Sequence, residues 1–319
     1  MGTYIIRRVL LMVPTLLVLS LIIFGLMRVL PGDVAMMILT GGGADAGVDE
    51  KSLIALREQM GLDRPMYVQY SVWLWDIVRG NFGESLYSHT GVMGEILQRL
   101  PITFQIALMA QMLSLLIGIP VGTLSAIRQN SWLDFTLRFW SIFFLAAPTF
   151  WLGLMVILGG TYWFNWIPPI GHHPIWEGPR ENILQLMWPT MILASHGLAT
   201  TARMTRSTML EVMREDYIRT ARAKGLGEQV VIIRHALKNA LIPVITLSGL
   251  TFASLLGGAV ILEYIFGIPG LGSYFITAIR QYDYPVAQGL TVVFATLFMS
   301  VNLLVDLLYG WLDPRISYS

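Results

Sequence analysis

Six long apolar runs, none of which contains Asp, Glu, Lys or Arg, dominate this sequence. A helix needs about 20 consecutive apolar residues to cross a bilayer, and each run is long enough. Hydrophobic residues make up 55% of the chain and charged residues 13%, below the roughly 25% charged residues typical of soluble domains. The sequence therefore predicts an all-α membrane protein with six transmembrane helices. The runs are Val9–Met27, Leu100–Ile127, Phe139–Trp163, Asn182–Ala202, Asn239–Leu262 and Tyr284–Val305.

Basic residues set the expected orientation of these helices, because loops rich in Lys and Arg stay on the cytosolic side of a membrane. Arg7 and Arg8 precede the first run, and eight Lys and Arg residues lie within 203–238. We therefore expect both termini in the cytosol and residues 31–99 outside. The first run is longer than the roughly 7–15-residue apolar core of a cleavable signal peptide, so we expect it to remain as a helix.

The chain is expected to form a single transmembrane domain, 1–319, in three parts. Residues 1–30 form a first helix, and residues 31–99 form an extracytoplasmic helical region. Residues 100–319 form a five-helix core, which includes a cytosolic loop at 203–238. In the external region, Lys51–Met60 and Met66–Val78 have apolar residues at helical spacing. Two roles are open for these helices: they lie on the bilayer surface, or they form a docking surface for an extracytoplasmic partner.

Several kinds of chemical site have no basis in this sequence. The chain has no cysteine, which excludes thiolate metal sites and cysteine nucleophiles. It has no G-x4-G-K-[ST] phosphate loop, no H-E-x-x-H zinc motif and no G-x-S-x-G nucleophile elbow. His172 and His173 are adjacent, so they do not share a helix face around a metal. We therefore expect no catalytic residue, metal site or cofactor in this chain, and its net charge of +1 gives no attraction to nucleic acid.

A polar segment between the fourth and fifth runs has the pattern of a short, capped helix. Glu215 and Asp216 stand at its start, and Arg222 and Lys224 stand near its end. Charges in this order complement the helix dipole, and Gly225 is a natural helix stop. From the residues alone, the segment could also be an amphipathic connector that lies on the bilayer.

Spacing within this segment suggests how it is used. Glu215 and Arg219 are four residues apart in the favourable order for an ion pair. Ala221 and Gly225 are also four apart, and we expect them to leave a small-residue groove that another surface approaches closely. A second helix, Gln229–Ala240, is expected to follow and to end at a proline just inside the fifth run.

Polar residues inside membrane spans are functional candidates because their burial in lipid is costly. Gln105 and Gln111 lie in the second run, and Glu263 ends the fifth run on the expected outer side. These three residues are candidates for a translocation pathway. For Glu263 the alternatives to contact with a peptide amine are exposure to solvent and a structural role.

Small residues mark two places where helices are expected to approach closely. They are Gly118, Pro120 and Gly122 in the second run, and Gly249, Gly257 and Gly258 in the fifth. A proline kinks a membrane helix while its neighbours satisfy the freed carbonyl, so the first place is either a packing site or a hinge.

The chain resembles one known family along nearly its whole length, and four segments carry the resemblance. They are RMTRSTMLEVMREDYIRTARAKGL at 203–226, HALKNALIPV at 235–244, GLDRPMYVQY at 61–70 and NLLVDLLYGWLDPRI at 302–316. On these motifs the chain is similar to the permease subunits of binding-protein-dependent ABC importers, in their dipeptide, oligopeptide and nickel branch. It departs from the family pattern at Val34, Asn81 and Ile268, where the family has Pro, Asp and Trp.

This resemblance implies a type I ABC importer-like permease fold with a cytosolic coupling helix that docks on an ATPase. The coupling segment would comprise Glu215, Asp216, Tyr217, Ile218, Arg219, Thr220, Ala221, Arg222, Ala223, Lys224 and Gly225. ATP and magnesium would then be bound by the partner ATPase and not by this chain. The glycines of the fifth run would form an interface with a second permease.

The resemblance also implies a set of partners in a bacterial cytoplasmic (inner) membrane. These are a homologous second permease, two cytosolic ABC ATPases, an extracytoplasmic substrate-binding protein and the lipid bilayer. The expected cargo is a short peptide, with nickel chelates and glutathione as alternatives within the same importer class. An ATP-independent secondary transporter or channel and an intramembrane hydrolase are the alternatives from other classes; the first would show inverted halves or midplane carboxylates, which the sequence lacks.

Overall fold

The computed structural model describes residues 2–29, 35–36, 39, 49–59, 61–169 and 171–312. Within these ranges the chain forms helices and loops, with one isolated β-bridge between Glu84 and Gly91. The helices are α1 (Gly2–Val29), α2 (Glu50–Gln59), α3 (Met66–Val78), α4 (Val92–Ile127), α5 (Trp132–Ala146), α6 (Thr149–Phe164), α7 (Pro179–Val212), α8 (Asp216–Ala223), α9 (Glu228–Ile265), α10 (Leu271–Arg280) and α11 (Tyr284–Leu312).

The chain divides into two compact units. The main unit consists of Thr103–Pro269 and Ser300–Ser319, and the N-terminal unit consists of Gly2–Ile102 and Gly270–Met299. The main unit holds the short helix α8 and the candidate pathway residues. The N-terminal unit holds the region after the first helix.

Three of the described helices are long and apolar enough to cross a membrane: α4, α9 and the Tyr284–Val305 part of α11. Helices α5 and α6 pass the same test only as a pair, which adds a fourth span if the pair is counted as one. The apolar part of α1, Leu10–Leu26, is shorter, and α7 is not among the helices that pass. The described structure is therefore that of an all-α membrane protein, and the count of six crossings stays a prediction.

The expected span Phe139–Trp163 is not one continuous helix, because the chain bends by 101° between α5 and α6. The bend lies at Ala147-Pro148. A proline ring excludes the α conformation at the preceding residue, and Ala147 accordingly has extended backbone angles of φ −72° and ψ 124°. Helix α6 then begins directly after Pro148.

Helix α7 packs against α9, α5 and α6 in the main unit. Its residues 192–195 are all buried, and four consecutive helical residues point in all directions around the axis. Buried side chains therefore occur on every side of α7. This explains why its sequence is less apolar than a lipid-facing span: polar residues such as Thr190 and Ser195 meet protein.

Helices α2 and α3 of the N-terminal unit confirm the two helical stretches expected after the first run, apart from Met60, which lies outside the described residues. Helix α3 lies against α1, where the hydroxyls of Ser20 and Tyr70 are 2.9 Å apart. A separate apolar cluster joins the start of α4 to α10 and α11, and its buried members include Ile96, Leu271 and Leu290.

The loop before α4 is fastened to the start of α11 by Asp283, which is buried. Its carboxylate accepts hydrogen bonds from the Ser85 hydroxyl and from the backbone N–H of Leu86. The N-terminal unit thus has an ordered polar connection as well as an apolar core.

Helix α9 runs without interruption from Glu228 to Ile265 and includes a π-helical stretch, Val231–Leu237. The expected separate helix Gln229–Ala240, ending at Pro243, is therefore wrong, since Pro243 lies inside α9. A proline removes one backbone hydrogen bond, and packing of neighbouring helices compensates for this loss inside a bundle. Helix α9 has such support along α7.

Candidate functional site

The candidate coupling segment contains α8, which starts and stops where its sequence indicates. Glu215 is the N-cap residue, with extended backbone angles. Helix α8 ends at Ala223, and Gly225 has φ +79°. Glycine adopts this left-handed conformation without a steric penalty, so Gly225 closes the helix and turns the chain.

The inner face of α8 is apolar and packs against the main unit. Ile218 is fully buried, and Ala221 is 6% exposed. They share a buried cluster with Met209 at the end of α7 and with Val231 and Ala236 in α9. The expectation that Ala221 and Gly225 form an open small-residue groove is therefore wrong, because Ala221 faces its own chain. The other surface of α8 is the one that remains free.

The outer face of α8 is polar and exposed. It carries Tyr217, Arg219 and Thr220. Arg219 is 75% exposed and pairs with Asp216 across 3.3 Å, and not with Glu215 as its spacing indicates. The reason is that Glu215 lies outside the helical turn as the N-cap, so its side chain does not follow the helical four-residue spacing.

Two polar contacts fasten α8 to the start of α9. The guanidinium of Arg222 donates to the Glu228 carboxylate over 2.7 Å, and the Asn239 amide donates to the Tyr217 hydroxyl over 2.8 Å. The hydrogen bond to Glu228 raises the pKa of Arg222 above its usual value. Helix α8 is thus held at both ends and along one face, which makes it a rigid polar ridge.

A charged network next to this site escaped the sequence analysis. Asp134 in α5 is fully buried, and its two carboxylate oxygens accept hydrogen bonds from Arg206 in α7, each over 2.9 Å. Ser125 at the end of α4 and the backbone N–H of Asn130 donate to the same carboxylate. The sequence shows only an acidic residue in the first turn of a helix. Nothing in it pairs positions 134 and 206.

The structure separates the candidate pathway residues. Gln105 donates to the side-chain oxygen of Asn182 over 2.6 Å, and Asn182 in turn donates to the backbone carbonyl of His173. Gln105 therefore ties α4 to the loop before α7. Its geometry is that of a connection between a helix and a loop.

Gln111 is 8% exposed and lines a cavity of about 320 Å³ between α4, α9 and α11. Its Oε1 accepts a hydrogen bond from Thr251 over 3.4 Å. Its Nε2 has no hydrogen-bond partner among the described residues. The other walls are mainly apolar, with Phe104, Phe252 and Leu304 among them. Gln111 thus carries a buried, unsatisfied hydrogen-bond donor beside this cavity.

Glu263 lies near the end of α9 and is fully buried. Exposure to water or to a peptide amine at the rim is therefore wrong for Glu263, whereas the alternative of a structural role agrees with its burial. The backbone of the following turn folds back over this end of α9, where the N–H of Ile268 donates to the Glu263 carbonyl over 2.8 Å. The side chain is enclosed by this turn and its neighbours.

The glycines of α4 lie where two helices approach most closely. A Cβ atom at Gly118 would lie 2.9 Å from the Cβ of Thr201, and one at Gly122 would overlap the backbone carbonyl of Ala202 in α7. Helix α4 continues through Pro120 between them. This geometry corresponds to the packing site that the spacing suggested.

The glycines of α9 have different surroundings. A Cβ at Gly249 would lie 2.5 Å from the Val305 side chain, and one at Gly258 would lie 3.0 Å from that of Leu193. Both positions are thus filled within this chain. Gly257 is exposed, and a Cβ there would meet nothing within 4 Å.

Long apolar helices around an enclosed central helix, with a short amphipathic helix seated beside them, define a polytopic helical membrane protein. The sequence model of the binding-protein-dependent transport system inner membrane component matches residues 118–318, and the N-terminal model of such membrane components matches residues 1–107. The chain therefore belongs to the family of binding-protein-dependent transport system inner membrane components.

Curated relatives match over the whole chain. The dipeptide transport system permease protein DppB of Alkalihalophilus pseudofirmus is 40% identical, with both chains fully covered. The oligopeptide transport system permease protein AppB of Bacillus subtilis is 41% identical, again with both fully covered. Escherichia coli DppB is 38% identical, covering 100% of this chain and 99% of the relative.

A solved structure shares the fold. The inward-facing MetNI methionine ABC transporter has a chain that superposes with a TM-score of 0.58, over 69% of this chain and 97% of its own length. The two sequences are 19% identical. This likeness shows that the helices are arranged as in an ABC importer subunit.

Proposed function

We propose that this chain is the transmembrane permease subunit of an ATP-driven importer that carries short peptides across a bacterial cytoplasmic membrane. Its family and the full-length match to dipeptide and oligopeptide permeases support the class and the cargo. Nickel chelates and glutathione are the alternative cargoes, and the relatives named above favour peptides over both. The chain is a transport subunit and not itself an enzyme.

The rigid seating of α8 is the structural observation that carries the coupling role. A helix that transmits force needs a fixed base and a free contact face. Ile218 and Ala221 supply the base, and Tyr217, Arg219 and Thr220 supply the face. We assign this face as the contact with a cytosolic ATPase, which binds ATP and magnesium.

The assembly proposed here has a second permease, two ATPases and an extracytoplasmic binding protein. Gly257 supports the contact with the second permease, because it is the open glycine of α9. Leu250, Ser254 and Ile261 are exposed on the same face of α9 at helical spacing. A small residue at the middle of such a face lets another helix approach closely.

Gln111 supports the position of the peptide path. The free Nε2 in a mainly apolar cavity offers a hydrogen bond to a backbone carbonyl of any peptide sequence. An amide without a charge suits a path for varied cargo. Specificity then resides in the binding protein.

Reconstitution tests both the class and the coupling face. Proteoliposomes with the complete importer and a binding protein should transport a labelled dipeptide only when ATP is present on the side of the membrane that carries the ATPases. Accumulation without ATP would instead indicate a secondary transporter or channel. A double substitution, Arg219→Glu with Thr220→Glu, should cut uptake at least tenfold while the membrane complex still assembles.

The control is Arg234→Glu, which reverses the charge of an exposed arginine in α9, outside α8, as the substitution at Arg219 does within α8. Its uptake should stay near that of the unmodified importer. Normal uptake by the α8 double variant would contradict the assignment of this face. Gly225 is not used for the test, because its φ of +79° makes any side chain there a backbone perturbation.

A further inference from the structure

The N-terminal unit contains a second cavity, of about 430 Å³, away from the candidate path. Its volume lies within the roughly 300–1,000 Å³ of small-molecule sites. One wall is a face of α3, and the first helix and the start of α11 complete it. The lining residues that matter here are Arg64, Gln69, Trp73, Asp76, Phe82 and Gln288.

The wall formed by α3 has opposite charges at its two ends. Arg64 stands in the turn before α3, and Asp76 stands near its C-terminus. Neither side chain forms an ion pair with any described residue. The helix dipole has the same polarity, since its N-terminus attracts an anion and its C-terminus a cation.

The separation of these charges selects a ligand length. Ten helical steps separate Met66, which follows closely after Arg64, from Asp76, and at 1.5 Å per step they rise about 15 Å. An extended peptide spans about 3.3–3.6 Å per residue. A free peptide of three or four residues therefore places its carboxylate near Arg64 and its ammonium group near Asp76.

The amide of Gln69 points to a ligand with a peptide backbone. Its Nε2 donates to the carbonyls of Leu62 and Arg64, which fixes the orientation of the amide. Its Oε1 is buried and has no hydrogen-bond partner among the described residues. A buried polar group without a partner is unfavourable, so this oxygen favours a polar occupant. Gln288, which is 8% exposed, adds a second amide to the lining.

Part of the lining is aromatic, and it includes Phe24, Trp73 and Phe82. Aromatic walls accept apolar side chains of different shapes without selecting one sequence. The cavity thus combines fixed recognition of two peptide termini with tolerance of side chains.

We infer that this cavity is a binding site for free, zwitterionic peptides of three or four residues. This inference rests on the proposed function and adds a peptide site within the permease itself. The ligand lies along α3 with its carboxylate at Arg64, its ammonium at Asp76 and its backbone N–H groups donating to Gln69.

The test uses the complete importer in nanodiscs without its binding protein. The probe is Ala-benzoylphenylalanine-Ala, a photoreactive tripeptide with free termini. Irradiation should label α3 or the neighbouring Phe82 segment, as mapped by mass spectrometry. Unlabelled trialanine should compete, whereas N-acetyl-trialanine amide should not, because it lacks both charges.

Neutralising either charge should weaken the binding that competition measures. Asp76→Asn and Arg64→Gln should each reduce it by at least about tenfold, the order expected for a lost charge-assisted hydrogen bond. Exchanging the two charges, Arg64→Asp with Asp76→Arg, should recover binding in the reversed direction. Asp63→Asn and Arg79→Gln are matched controls on the same segment that do not line the cavity, and they should bind as the unmodified protein does.

The outcomes test the peptide site in this cavity separately from the proposed importer function. Labelling elsewhere, labelling that the capped peptide competes equally, or equal loss in the controls would overturn the site. ATP-dependent dipeptide uptake by the same preparation, with its binding protein added, tests the importer separately. Uptake without labelling of the cavity would leave the proposed function standing and remove this inference.

Discussion

Asp134 shows how a single buried charge connects the ends of three helices. Its carboxylate is fully enclosed, whereas Arg206 is 20% exposed. Such a pair contributes little over an apolar replacement, but removing one partner leaves a buried charge unpaired. The two oxygens of Asp134 serve α7, α4 and the loop before α5 at once.

Replacing Asp134 should therefore destabilise the main unit. We expect Asp134→Ala to cost about 3–5 kcal/mol, the usual range for breaking a buried ion pair, with partial exposure of Arg206 favouring the lower end. The purified complex should melt several degrees lower by differential scanning fluorimetry. Asp216→Asn breaks the exposed pair with Arg219 and should shift the melting temperature little, because exposed pairs contribute about 0–1 kcal/mol. Equal shifts for both variants would contradict this account.

Sequence predicted single residues well only where the cause was local. Gly225 at the end of α8 follows from its own backbone freedom and its neighbours. Ala221, Glu263 and Asp134 depend on which distant segment covers them, and that information lies in the packing. Arg206 is 72 positions from Asp134 along the chain, so no local pattern joins them.

Helix α4 illustrates how glycine spacing controls the packing of whole elements. Gly118 and Gly122 stand one turn apart and admit the backbone of α7 directly against α4. Any side chain at Gly122 has to displace the Ala202 carbonyl or separate the helices. Neither is easy, because α7 is enclosed on its other sides by α9, α5 and α6.

Gly122→Ala should therefore cost about 1–3 kcal/mol, the range for overpacking a filled interior. Gly94→Ala is a matched control in the same helix, where an added Cβ would meet nothing within 4 Å. It should be neutral or stabilise the helix by up to about 1 kcal/mol, because alanine favours helix over glycine. Thermal unfolding of the two purified variants measures the difference. Equal stability of the two variants would mean that α4 and α7 are not in close contact.

The apolar runs predicted that the long helices exist. They did not predict where a helix is broken or where it continues. The break at Pro148 has a local cause that the run of apolar residues concealed. Pro243 had the opposite outcome, because a helix embedded among neighbours tolerates a proline that would end an isolated one. Local rules for helix ends are thus weaker inside a bundle than in a loop.

At the scale of the molecule, composition and motifs identified the class, and the uncharged run 182–202 predicted α7 although this helix falls short of the hydropathy of a membrane span. Helix α7 carries buried side chains on every side and so needs fewer apolar residues than a helix that faces lipid along its length. The motif at 203–226, which begins in α7 and continues through α8, carried the family assignment that composition could not provide. The distribution of Lys and Arg predicts the orientation of the helices in the membrane, which the described helices by themselves do not define.

The orientation can be measured with single cysteines, because the chain has none of its own. Ser88 and Ser207 are both exposed in the structure, so a thiol reagent can reach a cysteine at either position. The basic segment 203–238 should stay in the cytosol, and residues 31–99 should lie outside. On intact cells, a membrane-impermeant maleimide should label Ser88→Cys and leave Ser207→Cys unlabelled. After permeabilisation both should react, which shows that the second thiol is accessible once the membrane barrier is removed. Labelling of Ser207→Cys alone on intact cells would reverse the orientation, and with it the assignment of α8 as the contact for a cytosolic ATPase.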